Sequence, residues 1–213
     1  MSRSPAASIP LPEVLNNIRV GITPDGGGSP GVQRFAPLFF VSPAQINYLV
    51  PSGLPNGPAS VTVYNGDAAA ARGRLQIQTV APGLFTANAS GRGVPAALAL
   101  RVGPDGSQTS LPVFTGQPGN FVPAPLDLGQ ETDQVFLLLF GTGFRGIGSN
   151  LAAVEARIGG EPAEVLFAGP QGGFAGLDQI NLRVPRSLRG HGESAVNLTV
   201  STVPVNPVTI SIR

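Results

Sequence analysis

A short motif occurs twice in this chain, 134 positions apart, and that repeat limits the fold more than any other feature. Gln45-Ile46-Asn47-Tyr48-Leu49-Val50-Pro51 returns as Gln179-Ile180-Asn181-Leu182-Arg183-Val184-Pro185. Three flanking blocks keep the same order. Ile18-Arg19-Val20-Gly21-Ile22 matches Val154-Glu155-Ala156-Arg157-Ile158, and Phe40-Val41-Ser42-Pro43 matches Phe167-Ala168-Gly169-Pro170. Downstream, Ser60-Val61-Thr62-Val63 matches Ala195-Val196-Asn197-Leu198. Matching blocks in one order read as two copies of one supersecondary unit.

Each copy carries strand chemistry. Ile180, Leu182 and Val184 alternate with Gln179, Asn181 and Arg183, a period of two with one buried and one wet face. Pro185 then ends the strand, since it has no N–H for a ladder. Ile46 and Ile180 are therefore expected to be buried. The repeated Gln and Asn lie on the wet face, where their amides are expected to tie down the backbone of a neighbouring loop, the alternative being a ligand site. Val154, Ala156 and Ile158 also alternate with Glu155 and Arg157, and Gly159-Gly160 suits a hairpin turn, so 154–158 is expected to be a strand.

The rest of the chain follows suit. Short apolar stretches stand at 18–22, 37–41, 46–50, 60–64, 75–80, 96–102, 135–140, 165–167, 180–184, 196–200 and 208–212. Between them lie turn signals such as Pro24-Asp25-Gly26, Asn65-Gly66 and Pro104-Asp105-Gly106, the last at the centre of a hairpin over 96–114. Many short strands at this spacing form a sandwich or a barrel. With 29 glycines and 22 prolines the chain approaches low-complexity composition, but 42% hydrophobic residues supply the apolar mass that disordered chains lack.

Composition also excludes partners. Net charge is +1, all thirteen basic residues are arginine, and they are scattered, so no basic patch for nucleic acid exists. No cysteine is present for disulfides or thiolate metal sites. The longest apolar run, 135–140, is far short of the ~20 residues of a membrane span. The N-terminal segment MSRSPAASIPLPE has no apolar h-region, so for an exported protein the signal is expected upstream of this sequence.

Several motifs resemble chemistry. Gly141-Thr142-Gly143-Phe144-Arg145-Gly146 has the G-x-G-x-x-G pattern, with Glu161 where a ribose-binding acid would stand and 149–158 drawable as a helix. Against a nucleotide site, Ile147-Gly148 makes a poor first helical turn, no further βαβ unit is evident, and the glycines suit a tight turn between strands. Gly27-Gly28-Ser29-Pro30-Gly31 has the G-x-S-x-G pattern, but Pro30 lacks the N–H that a nucleophile elbow gives to its oxyanion hole. His191, the single histidine, stands in a glycine-rich turn with no further ligands, which is too few for zinc. Asp127, Glu131 and Asp133 cluster without the spacing of a calcium loop, although a calcium ion between modules stays open. No residue is assigned a catalytic, cofactor-binding or metal-binding role, and no cofactor is expected.

A family resemblance rests on particular residues. Gly141-Thr142-Gly143-Phe144, Ile158-Gly159-Gly160, Ala163, Val165, Ile180 to Pro185, and Gly192, Val196 and Val200 resemble an IPT/TIG immunoglobulin-like domain. Over nearly the whole chain, with Ala81-Pro82-Gly83-Leu84-Phe85, Gly91-Arg92-Gly93 and Gly176-Leu177-Asp178 added, the pattern is similar to a C-terminal domain of large acidobacterial (Solibacter-type) extracellular proteins. The resemblance implies two immunoglobulin-like (IPT/TIG-like) β-sandwich modules in tandem and an extracellular or cell-surface setting; no functional residue carries over from it.

The resulting expectation is an all-β chain. Residues 1–80 form the first module, 81–120 a strand-and-hairpin connector, and 121–213 the second module. The expected role is a non-enzymatic structural or interaction module for spacing, adhesion or assembly. Two alternatives are a carbohydrate- or ligand-binding module, which would need an exposed aromatic platform, and an enzyme using the GTGFRG loop. The strand expected at 135–140 has its counterpart at Met1 to Pro10, which is polar, proline-bearing and reads as no strand. The first module is thus expected to lack its opening strand and to keep an open sheet edge. Other protein modules or subunits are the expected partners through that edge, with no nucleic acid and no membrane insertion.

Overall fold

The computed structural model describes residues 4–5, 9–26 and 31–213. Strand makes up 53% of the chain and helix 4%, so the expected all-β class holds. The helical residues lie in the short 3-10 turns Arg145–Ile147, Leu151–Ala153 and Arg186–Leu188. Among the described residues no helix is long and apolar enough to cross a membrane. The chain divides into two compact units, Met1–Thr79 and Val80–Arg213.

The first unit has two antiparallel sheets. One runs in the order Arg34–Phe35, Ile18–Pro24, Gly57–Asn65, Ala68–Ile77. The other runs Ser4–Pro5, Leu38–Val41, Ile46–Tyr48. Ile18, Val20 and Ile22 from the first meet Leu38 and Val41 from the second in one small core. The long hairpin of Gly57–Asn65 and Ala68–Ile77 turns at Gly66, whose φ of 61° suits glycine.

The second unit is larger. One sheet runs Gln108–Leu111, Ala97–Val102, Gln134–Thr142, Asp178–Arg183, Glu164–Pro170, with Gly83–Leu84 beside one end of Gln134–Thr142. The other runs Pro125–Leu126, Val208–Ile212, Gly192–Val200, Val154–Ile158, Glu161–Pro162. Leu137, Leu139, Ile180 and Leu182 of one sheet share a single core with Ile158, Val196 and Ile210 of the other, the arrangement of a sandwich. Gln134–Thr142 is apolar at consecutive positions because strands flank it on both sides and even its outward residues are half-buried.

Segment 81–120 lies in the second unit and supplies strands to its sheet. Its strand Ala97–Val102 pairs with Gln134–Thr142 from Val102↔Gln134 to Ala97↔Leu139, and Gln108–Leu111 extends the same sheet. The hairpin around Pro104-Asp105-Gly106 forms as expected, closing at Val102↔Gln108. The strand expected at 154–158 is present, buried at Val154, Ala156 and Ile158, and turns through Gly159 and Gly160 at φ of 57° and 88°.

The repeated blocks make the same pairings in both units. Ile18↔Asn65 and Ile22↔Val61 correspond to Val154↔Val200 and Ile158↔Val196. Gly57↔Ile77 and Ala59↔Leu75 correspond to Gly192↔Ile212 and Ser194↔Ile210. Phe40↔Asn47 and Val41↔Ile46 correspond to Phe167↔Asn181 and Ala168↔Ile180. Even the irregularity is shared, lying between Leu38 and Phe40 in one unit and between Val165 and Phe167 in the other. A bulge at the same place twice indicates a built feature rather than a defect.

Two expectations need correction. Met1 to Pro10 is not devoid of strand: Ser4–Pro5 pairs with Leu38–Val41 through Ser4↔Val41 and Pro5↔Phe40, at a sheet edge, where proline is tolerated. Residues 1–3 and 6–8 lie outside the described residues. Ile46 is half-buried, not buried, whereas Ile180 is fully buried at 0% exposure. In the second unit Gln134–Thr142 lies against Asp178–Arg183, while among the described residues no strand takes that side of Ile46–Tyr48.

Candidate functional site

Ile46–Tyr48 is an edge strand. It pairs with Leu38–Val41 on one side, and among the described residues nothing pairs on the other. Ser4–Pro5 does not close this gap, because it lies across Leu38–Val41 on the opposite edge. Behind the open side is a cavity of about 360 Å³, lined by Ile18, Val41, Ala44, Ile46, Val63 and Ala71 among others. Among the described residues no charged side chain lines it. Val61, Val63, Ile46 and Tyr48 are only partly buried, while their counterparts Val196, Leu198, Ile180 and Leu182 are buried. Burial nevertheless pushes the Tyr48 hydroxyl above its usual 10.0, since the phenolate would lose solvation.

The equivalent place in the second unit is filled. Phe136↔Arg183 through Gly141↔Asp178 pair antiparallel, and Val135, Leu137 and Leu139 point into the core. The strand then enters the GTGFRG loop, which Asp178 holds. The Asp178 carboxylate is fully buried and accepts from the Phe144 N–H at 2.8 Å, the Arg145 N–H at 3.3 Å and the Arg145 Nε at 2.9 Å. Arg145 adds an ion pair at 2.7 Å. Position 44, the counterpart of Asp178, is alanine.

That geometry explains the G-x-G-x-x-G pattern. The amides that would cradle a phosphate are aimed at Asp178. A Cβ on Gly141 would stand 2.2 Å from the Gly83 carbonyl oxygen, and one on Gly143, at φ +81°, 2.1 Å from that of Ala81. Both glycines let the segment at 81–83 pass against the loop. The helix that the nucleotide alternative drew over 149–158 is a 3-10 turn followed by a strand. Glu161 is exposed in the Glu161–Pro162 strand.

The remaining candidates are dispersed. His191 is exposed in its turn, with Nδ1 3.3 Å from the Ser194 hydroxyl. Asp127 meets Arg101 at 3.2 Å and Arg213 at 3.5 Å, Asp133 meets Arg101 at 3.7 Å, and Glu131 meets Arg186 at 3.7 Å. The Gly129 amide, helped by Arg213 and Arg101, holds the Asp127 carboxyl below the usual carboxylate range. Among the described residues no group of three or more His, Asp or Glu is arranged to hold a metal. Of the G-x-S-x-G motif, 27–30 lie outside the described residues. The exposed aromatic rings are Phe85, Phe167 and Phe174.

The repeated amides do something the sequence reading did not anticipate. Gln45 Nε2 donates to Asn47 Oδ1 at 2.7 Å, and Gln179 Nε2 donates to Asn181 Oδ1 at 2.6 Å. Gln179 and Asn181 bond along one strand, and Gln45 at the entry to Ile46–Tyr48 does the same with Asn47, instead of fastening a loop, because residues two apart in extended backbone share a face. The cavity was not visible in the sequence, although the missing counterpart of 135–140 marked its position.

No family model matches the chain, and neither a curated protein nor a solved structure matches it.

Proposed function

We propose that this chain is a non-enzymatic structural or interaction module of an extracellular or cell-surface protein, built of two immunoglobulin-like modules of the IPT/TIG kind. The observation that carries the reading is the use made of the polar groups. Asp178 is consumed by the GTGFRG loop, and Asp127 and Asp133 by arginines. Among the described residues Ile46–Tyr48 keeps one side unpaired beside an uncharged cavity, the kind of surface used in assembly. The shared strand pairings of the two units support a tandem origin.

Calorimetric titration of the chain with ATP, GTP and NAD tests this reading. No saturable heat is the expected result; saturable binding lost in a Gly143→Ala variant would overturn it. Protease treatment of intact cells that carry the full parent product, tagged after Arg213, tests the setting. Loss of the tag is expected, and its protection would contradict a surface location.

A further inference from the structure

The geometry points to the first unit as an acceptor for a β-strand donated in trans by another polypeptide, a strand that pairs antiparallel with Ile46–Tyr48, carries apolar side chains at alternate positions and sends the one opposite Ile46 into the cavity there. This inference rests on the reading of the chain as an interaction module and names the chemistry of its partner.

The second unit supplies the template. There Leu139 lies opposite Ile180 and Leu137 opposite Leu182, both buried in the shared core. Transferred through the matched pairings, those positions face Ile46 and Tyr48, of which Ile46 lines the cavity. The cavity of about 360 Å³ has room for several aliphatic side chains, and its lining has no charge to receive an ionised one. Main-chain pairing along the edge would give affinity, and the alternate apolar residues would give register.

The source is another polypeptide for reasons visible in the fold. The chain leading into Ile18 runs along the far side of the sheet: Leu38 N–H donates to the Pro12 carbonyl, and Ser4↔Val41 and Pro5↔Phe40 pair on that edge. A strand from this segment would have to cross the sheet to reach Ile46–Tyr48. In a second copy the segment with the matching apolar alternation, Gln134–Thr142, is already locked between Ala97–Val102 and Asp178–Arg183. Ala44 completes the argument. In the second unit the strand is fastened through the loop that Asp178 holds, and Ala44 has no such hold to offer. The acceptor site suits a strand that lies along the edge without turning back into the unit.

The probe is a synthetic peptide with the sequence of 134–141, threonine replacing Phe136, Leu138 and Phe140, and a lysine at each end. Its binding to the intact chain is measured by fluorescence anisotropy, and amide hydrogen exchange reports the strand at 46–48. Saturable binding that slows exchange at 46–48 is expected, and aspartate at the positions of Val135, Leu137 and Leu139 should abolish it. Ala71→Arg places a charge at the exposed mouth of the cavity and should weaken binding about tenfold or more without shifting the urea midpoint. Ala44→Arg is the second variant, should the first disturb folding. Absence of saturable binding overturns the inference, as does binding that neither variant weakens. Self-association of the chain alone that Ala71→Arg abolishes also overturns it, making the occupant a second copy. Failure of the peptide leaves the nucleotide and surface tests untouched, so the two readings fail separately.

Discussion

Asp178 and Ala44 occupy matching places in the repeat, and their difference follows what each must hold. Asp178 neutralises Arg145 and satisfies the buried Phe144 amide, and Arg145 keeps its own access to solvent, so Asp178→Ala should destabilise the second unit by roughly 1–3 kcal/mol in a urea melt. Its counterpart faces a cavity, where a small apolar residue suffices. Ile180 and Ile46 form a second matched pair. Ile180→Ala removes a fully buried side chain and should lose about 2–5 kcal/mol. Ile46→Ala should lose roughly 1–2 kcal/mol, because part of that side chain already meets solvent. Equal losses would mean that the two sites are equally enclosed. Tyr48 gives a pH signature. Its folded pKa lies above the unfolded value, so the unfolded chain loses its proton first. Stability is intact below about pH 10 and falls as pH rises beyond it. The urea midpoint of Tyr48→Phe should fall less over that range than that of the unaltered chain.

At the scale of elements, the loop after Gln134–Thr142 depends on backbone approach. Gly143→Ala should destabilise the second unit more than Gly160→Ala. The Cβ of the first meets the Ala81 carbonyl at 2.1 Å, while the second meets nothing within 4 Å and incurs only the strain of positive φ. Thermal melts of the two variants check the order. Elements with apolar alternation were legible in the sequence, as at 154–158 and 180–184, because one buried face imposes period two. The first half of Ala68–Ile77 was not: AAAARGR has neither β-branched residues nor alternation, and pairing with Gly57–Asn65 alone makes it a strand. The hairpin of Phe114–Gln117 and Asn120–Pro123 escaped for a similar reason, its outer residues being polar and exposed. The Gln–Asn pairs were legible as a motif but not as a bond, since period two fixes the shared face and leaves the partner open.

At the scale of the molecule, the matched segments pair alike in the two units and are completed by different strands. The second unit adds Gln134–Thr142, Ala97–Val102 and Gln108–Leu111 to its repeat and buries the core that results. The first unit carries the repeat with Ser4–Pro5 on the far edge and leaves Ile46–Tyr48 open. The matched blocks were readable from the offset of 134 positions, and the pairing of Ser4–Pro5 was not. The destination of 81–120 was not, because which sheet a strand joins is decided by its neighbours in space. Amide hydrogen exchange, read on strands 46–48 and 178–183 in one sample of the unaltered chain, tests the central claim most directly. The open edge predicts exchange at 46–48 faster on the order of a hundredfold than at the matched positions 180–182. Equal protection of the two strands would contradict it.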